Sequence, residues 1–226
     1  MARLTGVSEE NASAEVRSVY DRVKARFGKL VEPVPVTAAH PEIFKAYISY
    51  ESSLRSASQV SAKLKELAYL KVAAMVGCPF CIDLGSALAK NVGITEGQMQ
   101  CLSSYADSSE FSQVEKTVLD LATAMTFNPA SVPDDLFSRL QEFFEPVQII
   151  EIIAATAWEN YRSRFNHALG IESHGFSQGS YCVRRTEAVA VGVTSWPRLT
   201  LIKVVPERNV QPGARKPASA SGARID

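Results

Sequence analysis

The segment Cys78–Cys81 holds two cysteines with Pro-Phe between them, and these are the residues best suited to chemistry. Thiols three residues apart on one helical face can close a short disulfide, so the pair can cycle between oxidised and reduced states. Gly77 is expected to end the preceding helix, and Pro79 suits the first turn of the next one. Both sulfurs then lie at a helix amino end, where unpaired N–H groups and the helix dipole favour a thiolate. The spacing therefore predicts a redox-active dithiol.

Two other interpretations of the cysteine pair are weaker. A structural zinc site needs four ligands, often two such pairs or one pair with two histidines. The candidate ligands elsewhere are Cys101, Cys182, His40, His167 and His174. None of these stands at a close ligand spacing, so we predict neither a metal nor a cofactor. The pair can also be two small core residues, as free cysteines often are, and Cys101 and Cys182 are predicted to be inert single thiols.

Glu66 is a candidate proton-transfer group. It belongs to the helix that Gly77 should fold back against the cysteine helix, and its neighbours in sequence are mostly apolar. An apolar surrounding raises the pKa of a carboxyl group and suits it to act as a base near neutral pH. The alternative is an exposed glutamate in an ion pair with Lys63 or Lys65. Helical periodicity by itself favours that alternative.

Composition limits the possible partners of the chain. Of its 226 residues 46% are hydrophobic and 21% are charged, and the net charge is zero, which disfavours nucleic acid as a partner. No run of about 18 apolar residues suggests a membrane helix, and the first residues lack the apolar core of a secretion signal. We therefore expect no membrane partner and a cytoplasmic location. In that reducing compartment a close cysteine pair is more typical of catalysis than of a structural disulfide.

The hydrophobic periodicity is helical over most of the chain. Helices are predicted over residues 9–27, 41–54, 61–76, 80–91, 114–125, 134–144 and 146–169, with a further one opening at residues 95–96. The VEPVPV segment at 31–36 is interpreted as a rigid connector. The fold class is therefore all-α, with one helical domain at 1–182. Residues 183–205 are β-branched and predict a short irregular or extended arm, and 206–226 a disordered tail.

The stretch KELAYLKVAAMVGCPFCIDLGSALAKNVGI resembles the carboxymuconolactone decarboxylase and AhpD-like (alkylhydroperoxidase) superfamily. The segments EKTVLDLATAMT, QIIEIIAATAWENYRSRFNHALGI and GFSQGSYC extend the resemblance over residues 40–182. The resemblance implies an AhpD-like helical bundle, a trimer or hexamer, and thiol-dependent reduction of hydroperoxides. Glu66, Cys78 and Cys81 match the family motif, which implies that Cys81 attacks the peroxide and Cys78 resolves it. The implied partners are a small peroxide or disulfide substrate and an external thiol reductant.

The chain departs from the family at one position. The family places a histidine four residues after the second cysteine, and Gly85 stands there. His167 can replace the missing imidazole if its helix packs against the cysteines, but such a histidine is more often a surface or packing residue. The dipole argument favours Cys78 as the more acidic thiol, so the roles of the two cysteines stay open. Arg162 and Arg164 can meet an anionic substrate or lie on a solvated helix face.

Two other functions stay open at this stage. The lost histidine is compatible with a carbon–carbon lyase like the lactone decarboxylases, which would use acid–base groups and no dithiol. A non-catalytic redox sensor would form the disulfide once without turnover. The cysteine pair argues for the peroxidase, since one fold can host several chemistries and only the site distinguishes them.

Overall fold

A computed structural model describes residues 2–178 as a set of packed helices. The helices are α1 (Ala14–Phe27), α2 (Pro33–Thr37), α3 (Pro41–Ser56), α4 (Ala62–Val76), α5 (Pro79–Ala89), α6 (Glu96–Cys101), α7 (Gln113–Thr126), α8 (Asp134–Phe143) and α9 (Pro146–Leu169), with short 3₁₀ turns at Lys90–Val92 and Leu102–Ser104. No β-strand occurs within this range. The predicted all-α class is therefore confirmed.

Two boundaries differ from those predicted. Helix α1 begins at Ala14 rather than at residue 9, because the Ser13 side chain accepts a hydrogen bond from the Val16 N–H and caps the helix there. The interpretation of VEPVPV as a connector is wrong, since Pro33–Thr37 forms the short helix α2. Its prolines lie in the first turn, where the backbone N–H groups have no helical partner and their absence costs nothing.

Helix α4 is the centre of the bundle and packs against α5, α7 and α9. Its side chains are buried in several directions: Leu67, Ala68 and Val72 are fully buried, and Leu70 is 1% exposed. A helix that is apolar on all sides belongs in a core rather than at a surface. Any residue of α4 that is neither apolar nor solvated must therefore line a cavity or find a buried partner.

A tight turn joins α4 to α5. Gly77 ends α4 in the left-handed conformation (φ 74°), which a residue without a Cβ adopts at little cost. Cys78 is then the N-cap of α5 and Pro79 its first helical residue, as the sequence predicts. The turn folds α5 back along α4, so the cysteines begin a helix that packs on the helix carrying Glu66.

Asp83 on α5 fixes the chain that follows α9. Its buried carboxylate accepts hydrogen bonds from the backbone N–H groups of His174, Phe176 and Ser177, at 2.7–3.0 Å, and from the Ser177 hydroxyl at 2.7 Å. Burial alone would raise the pKa of Asp83, but these hydrogen bonds outweigh it and lower the pKa to about 2. Asp83 therefore holds the segment after α9 against α5.

The C-terminal predictions concern other residues. The domain boundary at 182, the arm at 183–205, the tail at 206–226 and Cys182 all lie outside the described residues and stay predictions. Among helices α1–α9, none is both long and apolar enough to cross a bilayer.

The Asp83→Asn variant should lower the free energy of unfolding by about 2–3 kcal/mol at pH 7, because the amide oxygen replaces only one carboxylate oxygen and the NH2 group cannot accept the two hydrogen bonds made to the other. The carboxylate has a lowered pKa, so it stabilises the fold above about pH 4, and this contribution is lost as the pH falls toward 2. Urea unfolding between pH 2 and 7 measures both effects. Asp107→Asn, at an exposed carboxylate, is the control and should change neither the free energy of unfolding nor its pH dependence. Equal unfolding curves for Asp83→Asn and wild type would contradict the structural role of Asp83.

Candidate active site

The two sulfurs of the predicted dithiol are in direct contact. Cys78 Sγ and Cys81 Sγ lie 2.7 Å apart, and the Cys81 backbone N–H donates to Cys78 Sγ at 3.3 Å. Cys78 is fully buried, whereas Cys81 is half-buried and forms part of a cavity wall. The two thiols are thus unequal: only Cys81 is open to a molecule that enters the cavity.

The same geometry makes the acidities unequal. The hydrogen bond between the two side chains lowers the pKa of the Cys78 thiol, and the hydrogen bond from the Cys81 backbone N–H lowers it further, against the effect of burial. The pKa of Cys81 is raised, first by its hydrogen bond to Cys78 and then by burial and the Glu159 charge. The structure therefore agrees with the dipole argument that Cys78 is the more acidic thiol.

The cavity beside Cys81 has an empty volume of about 920 Å³, including its open mouth. Its apolar wall comprises Val23, Phe27, Val31, Ile48, Leu84 and Leu88. Its polar wall carries Tyr47, Tyr69 and the charged side chains described below. A site with a large apolar side and a few polar groups is typical of binding a small organic molecule.

Glu66 lies in this cavity wall, close to Gly85. A Cβ built on Gly85 would lie 3.2 Å from Glu66 Oε1 and 2.8 Å from Leu70 Cδ2. The position of the family histidine is therefore packed against Glu66 and Leu70, without room for a side chain. Burial raises the pKa of Glu66 to about 7, with Arg162 opposing the shift and Glu159 adding to it.

The alternative that Glu66 is an exposed ion-pair partner of a neighbouring lysine is wrong. Lys63 pairs with Glu115 and Lys65 with Glu151, each at 2.7 Å. Glu66 has no ion-pair partner within residues 2–178. Periodicity alone missed this because it cannot tell a solvated helix face from one that lines a cavity.

Arg162 is the centre of a buried charge network in the polar wall. Its guanidinium donates to Glu51 of α3 at 3.0 Å and to Glu159 one turn earlier on α9, and it stacks over the Tyr69 ring with its Cζ 4.9 Å from the centroid. The interpretation of Arg162 as part of a solvated face is therefore wrong. Arg164 is exposed and donates to the Thr126 carbonyl and the Asn160 side chain.

Three polar residues of α9 face the cysteines and were not among the predicted site residues: Glu159, Ser163 and Asn166. Ser163 donates to Glu159 Oε1 at 2.8 Å, and Asn166 Nδ2 donates to Cys81 Sγ at 3.4 Å. All three are at most 2% exposed. Their spacing of four and three residues places them on one face of α9, and this is the signal that could have found them. His167 is exposed and does not line the cavity, so the structure does not bring it to the cysteines.

No three His, Cys, Asp or Glu side chains converge into a metal-binding group anywhere in residues 2–178. The chemistry available to the described residues is that of two thiols, a carboxyl group with a pKa of about 7, and an amide that donates to the Cys81 sulfur. Such a set can accept two electrons and transfer protons.

Comparison with known proteins places this site in a family. The model of the carboxymuconolactone decarboxylase family matches residues 41–124, which include Glu66, both cysteines and Gly85. The uncharacterized protein YdfG of Bacillus subtilis (strain 168) is 30% identical over 131 residues, covering 58% of this chain and 88% of its own. The chain belongs to the carboxymuconolactone decarboxylase and AhpD-like superfamily, so the predicted resemblance is confirmed.

Solved structures share the fold. An uncharacterized peroxidase-related protein with an alkylhydroperoxidase AhpD core, from Ralstonia eutropha JMP134, superimposes with a TM-score of 0.71 at 18% identity, over 80% of this chain and 97% of its own. The debrominase Bmp8 gives a TM-score of 0.69 at 18% identity, over 77% of this chain and 93% of its own. Family and fold together support a peroxidase-related or decarboxylase-like role.

Gly85→Ala should lower the free energy of unfolding by about 1–3 kcal/mol, because the new Cβ overlaps Leu70 and crowds Glu66. Helix propensity alone would give the opposite sign, since alanine in a helix is about 1 kcal/mol better than glycine. Gly97→Ala is the control: its Cβ would meet only the exposed Glu110 carboxylate, which can move away. Thermal and urea unfolding distinguish the two, and a stabilised Gly85→Ala protein would refute the packing argument.

Proposed function

We propose that this protein reduces organic hydroperoxides with the dithiol of Cys78 and Cys81 and is reduced again by an external thiol. One observation carries the proposal: two thiols 2.7 Å apart, of which one lines an apolar cavity that also holds the carboxyl group of Glu66. A buried dithiol without a cavity could not be reached by a substrate, and a cavity without the pair could not accept two electrons.

Access assigns the roles of the two sulfurs. Cys81 attacks the hydroperoxide because it lines the cavity, and the fully buried Cys78 resolves the oxidised product. The greater acidity of Cys78 does not oppose these roles. The contact between the sulfurs lets them share one negative charge, so a proton that moves from Cys81 to Cys78 leaves the reactive thiolate at Cys81.

The first step breaks the O–O bond. The Cys81 thiolate attacks the terminal oxygen of R–O–O–H, an S–O bond forms, and Cys81 becomes a sulfenic acid, S–O–H. The sulfur is oxidised by two electrons, and the oxygen bound to R leaves as an alkoxide. Glu66, with a pKa of about 7, gives its proton to the alkoxide and releases the alcohol R–OH.

The second step closes the disulfide. The Cys78 sulfur attacks Cys81, the S–O bond breaks, and the hydroxide leaves as water with the proton of Cys78. The pair starts as one thiolate and one thiol. Together with one hydroperoxide and one proton from Glu66, it is converted to one disulfide, one alcohol, one water and a Glu66 carboxylate. An external dithiol then reduces the disulfide by thiol exchange, and solvent returns the proton to Glu66.

The apolar wall favours organic over inorganic hydroperoxides. Burying about 100 Å² of apolar substrate surface is worth about 2.5 kcal/mol, or a factor of about 60 in affinity, which hydrogen peroxide cannot gain. A carbon–carbon lyase is less well supported, because acid–base chemistry would make no use of two touching thiols. A sensor is also less well supported, because a stoichiometric switch needs no organic-sized cavity.

Assembly with copies of the same chain is also part of the proposal. Several large apolar side chains are exposed on the described surface, among them Ile150 at 68%, Phe127 at 60% and Val147 at 53%. Exposed apolar groups of this kind support self-association of the chain.

The cysteine variants test the proposed roles. Cys81→Ser should reduce consumption of cumene hydroperoxide, with a dithiol donor present, to the rate without protein. Cys78→Ser should consume one equivalent per subunit and then stop, since the sulfenic acid cannot be resolved. Cys101→Ser, at a half-buried thiol outside the cavity, is the control and should keep full turnover. Wild-type turnover in Cys81→Ser would refute the proposal, and lyase activity that survives loss of both cysteines would favour the lyase.

Glu66→Gln tests the proton donor. We expect oxidation of Cys81 to slow about 100-fold at pH 6, since glutamine cannot protonate the alkoxide. In the wild type this rate, divided by the thiolate fraction, should fall as the pH rises through about 7, because Glu66 then loses the proton it donates; in the variant this fall should be absent. Stopped-flow oxidation across pH 5–9 measures both. Glu172→Gln, at an exposed carboxyl group outside the cavity, should behave as wild type, and a retained fall in Glu66→Gln would exclude Glu66 as the donor.

A further inference from the structure

Asn166 is a buried polar side chain in the cavity wall with one atom unsatisfied. It is 2% exposed, and its Nδ2 donates to Cys81 Sγ at 3.4 Å. Its Oδ1 is buried and has no hydrogen-bond partner within residues 2–178. An unpaired buried acceptor costs about 1–3 kcal/mol, and native proteins rarely retain one without a reason. This atom therefore needs a hydrogen-bond donor.

Most donors nearby are already engaged: the Ser163 hydroxyl and the terminal nitrogens of Arg162 donate to Glu159 and Glu51, and the two sulfurs are in contact. Arg162 Nε, four residues earlier on α9, is also buried without a partner within residues 2–178. Asn166 lines the cavity beside Cys81, so a substrate bound there can supply the donor that Oδ1 lacks. Because Asn166 carries both atoms on one planar amide, Oδ1 lies beside the nitrogen that contacts the attacking sulfur. A molecule whose terminal O–H reaches Cys81 therefore comes next to the amide that carries Oδ1.

We propose that Asn166 is a substrate-positioning residue whose Oδ1 accepts the O–H of the hydroperoxide while its Nδ2 holds the Cys81 sulfur. The proposal rests on the proposed function and assigns the group that orients the substrate. This hydrogen bond places the terminal oxygen of the hydroperoxide, rather than the oxygen bonded to carbon, next to the Cys81 sulfur. Hydroperoxides have this O–H, whereas dialkyl peroxides do not, so the site discriminates between the two classes.

The hydrogen bond persists through the reaction. The oxygen that carries the hydrogen is the one transferred to Cys81, so the same O–H becomes the hydroxyl of the sulfenic acid. Oδ1 accepts it before and after the O–O bond breaks, and releases it when Cys78 displaces the hydroxide. A site that loses this acceptor should orient both the hydroperoxide and the sulfenic acid poorly.

The test compares two reactions of one thiolate. In the Cys78→Ser background, the rate of Cys81 with cumene hydroperoxide is divided by its rate with S-methyl methanethiosulfonate, which has no hydrogen-bond donor. The thiolate fraction cancels from this ratio, so effects on the pKa of Cys81 do not enter. Mass spectrometry of the Cys81 peptide restricts both rates to this thiol.

Leucine has nearly the same shape as asparagine and no polar side-chain atoms. Asn166→Leu should therefore lower the ratio at least tenfold, because one hydrogen bond to the substrate is lost. Asn166→Asp keeps an oxygen acceptor and should keep the ratio within threefold of its parent, although both rates fall. Asn160→Leu, on the same helix and bonded to Thr126, is the control and should leave the ratio unchanged. If Asn166→Leu does not fold, Asn166→Ala replaces it with the same expectation.

Each outcome decides a different question. An Asn166→Leu ratio within threefold of its parent, with ready hydroperoxide reduction by the wild type, overturns the role of Asn166 alone. A wild-type protein whose Cys81 reacts with the methanethiosulfonate but not with hydroperoxide overturns the proposed function, and the role of Asn166 with it. A ratio at least tenfold lower in Asn166→Leu, together with a ratio within threefold of the parent in Asn166→Asp, supports both.

Discussion

The left-handed turn at Gly77 is the constraint on which the site depends. The N–H groups of Gly77 and Cys78 both donate to the Ala73 carbonyl, at 2.8 and 3.1 Å, which closes α4 and reverses the chain. A residue with a Cβ would add about 1–2 kcal/mol of strain in this conformation. Because of this turn the dithiol begins α5 beside the buried α4, and its first sulfur receives a helix N–H. Without it the cysteines and Glu66 would be parts of unrelated helices.

The buried charges explain why one carboxyl group stays available for proton transfer. Arg162 is shared between Glu51 and Glu159, so the network joins α3 to α9 with one cation and two carboxylates. Removing such groups from water is costly, and their gain is mainly in fixed geometry. Glu66 is the third carboxyl group in this wall, and no cation among residues 2–178 forms an ion pair with it. Burial then dominates, and its pKa rises to the range in which it can hold and release a proton.

The two cysteines divide acidity and access between them. The N-cap position supplies Cys78 with a backbone donor but also buries it completely, whereas Cys81, one turn along, borders the cavity and lies under Asn166. A single cysteine in either place would lack one of these properties. Because the sulfurs are in contact, a proton can move between them. The negative charge favoured at Cys78 can therefore reside on Cys81. The asymmetry is a consequence of helix geometry, because a residue three positions after the N-cap lies above it on the same face.

By itself the sequence determined the longer helices (but not the short helix α2), the left-handed ends at Gly77 and Gly170, and the dithiol at the start of α5, because caps, glycines and periodicity are local and short-range. The family motif also identified Glu66 and the departure at Gly85. Tertiary structure alone decided that Glu66 lines a cavity, that Leu70 and Glu66 fill the place of a histidine, and that α9 brings Asn166 rather than His167 to the sulfur. These features depend on which helix packs against which, and the contact between Asn166 and Cys81 joins residues 85 positions apart. No local pattern encodes such a distance, so burial and pairing had to come from the packed structure.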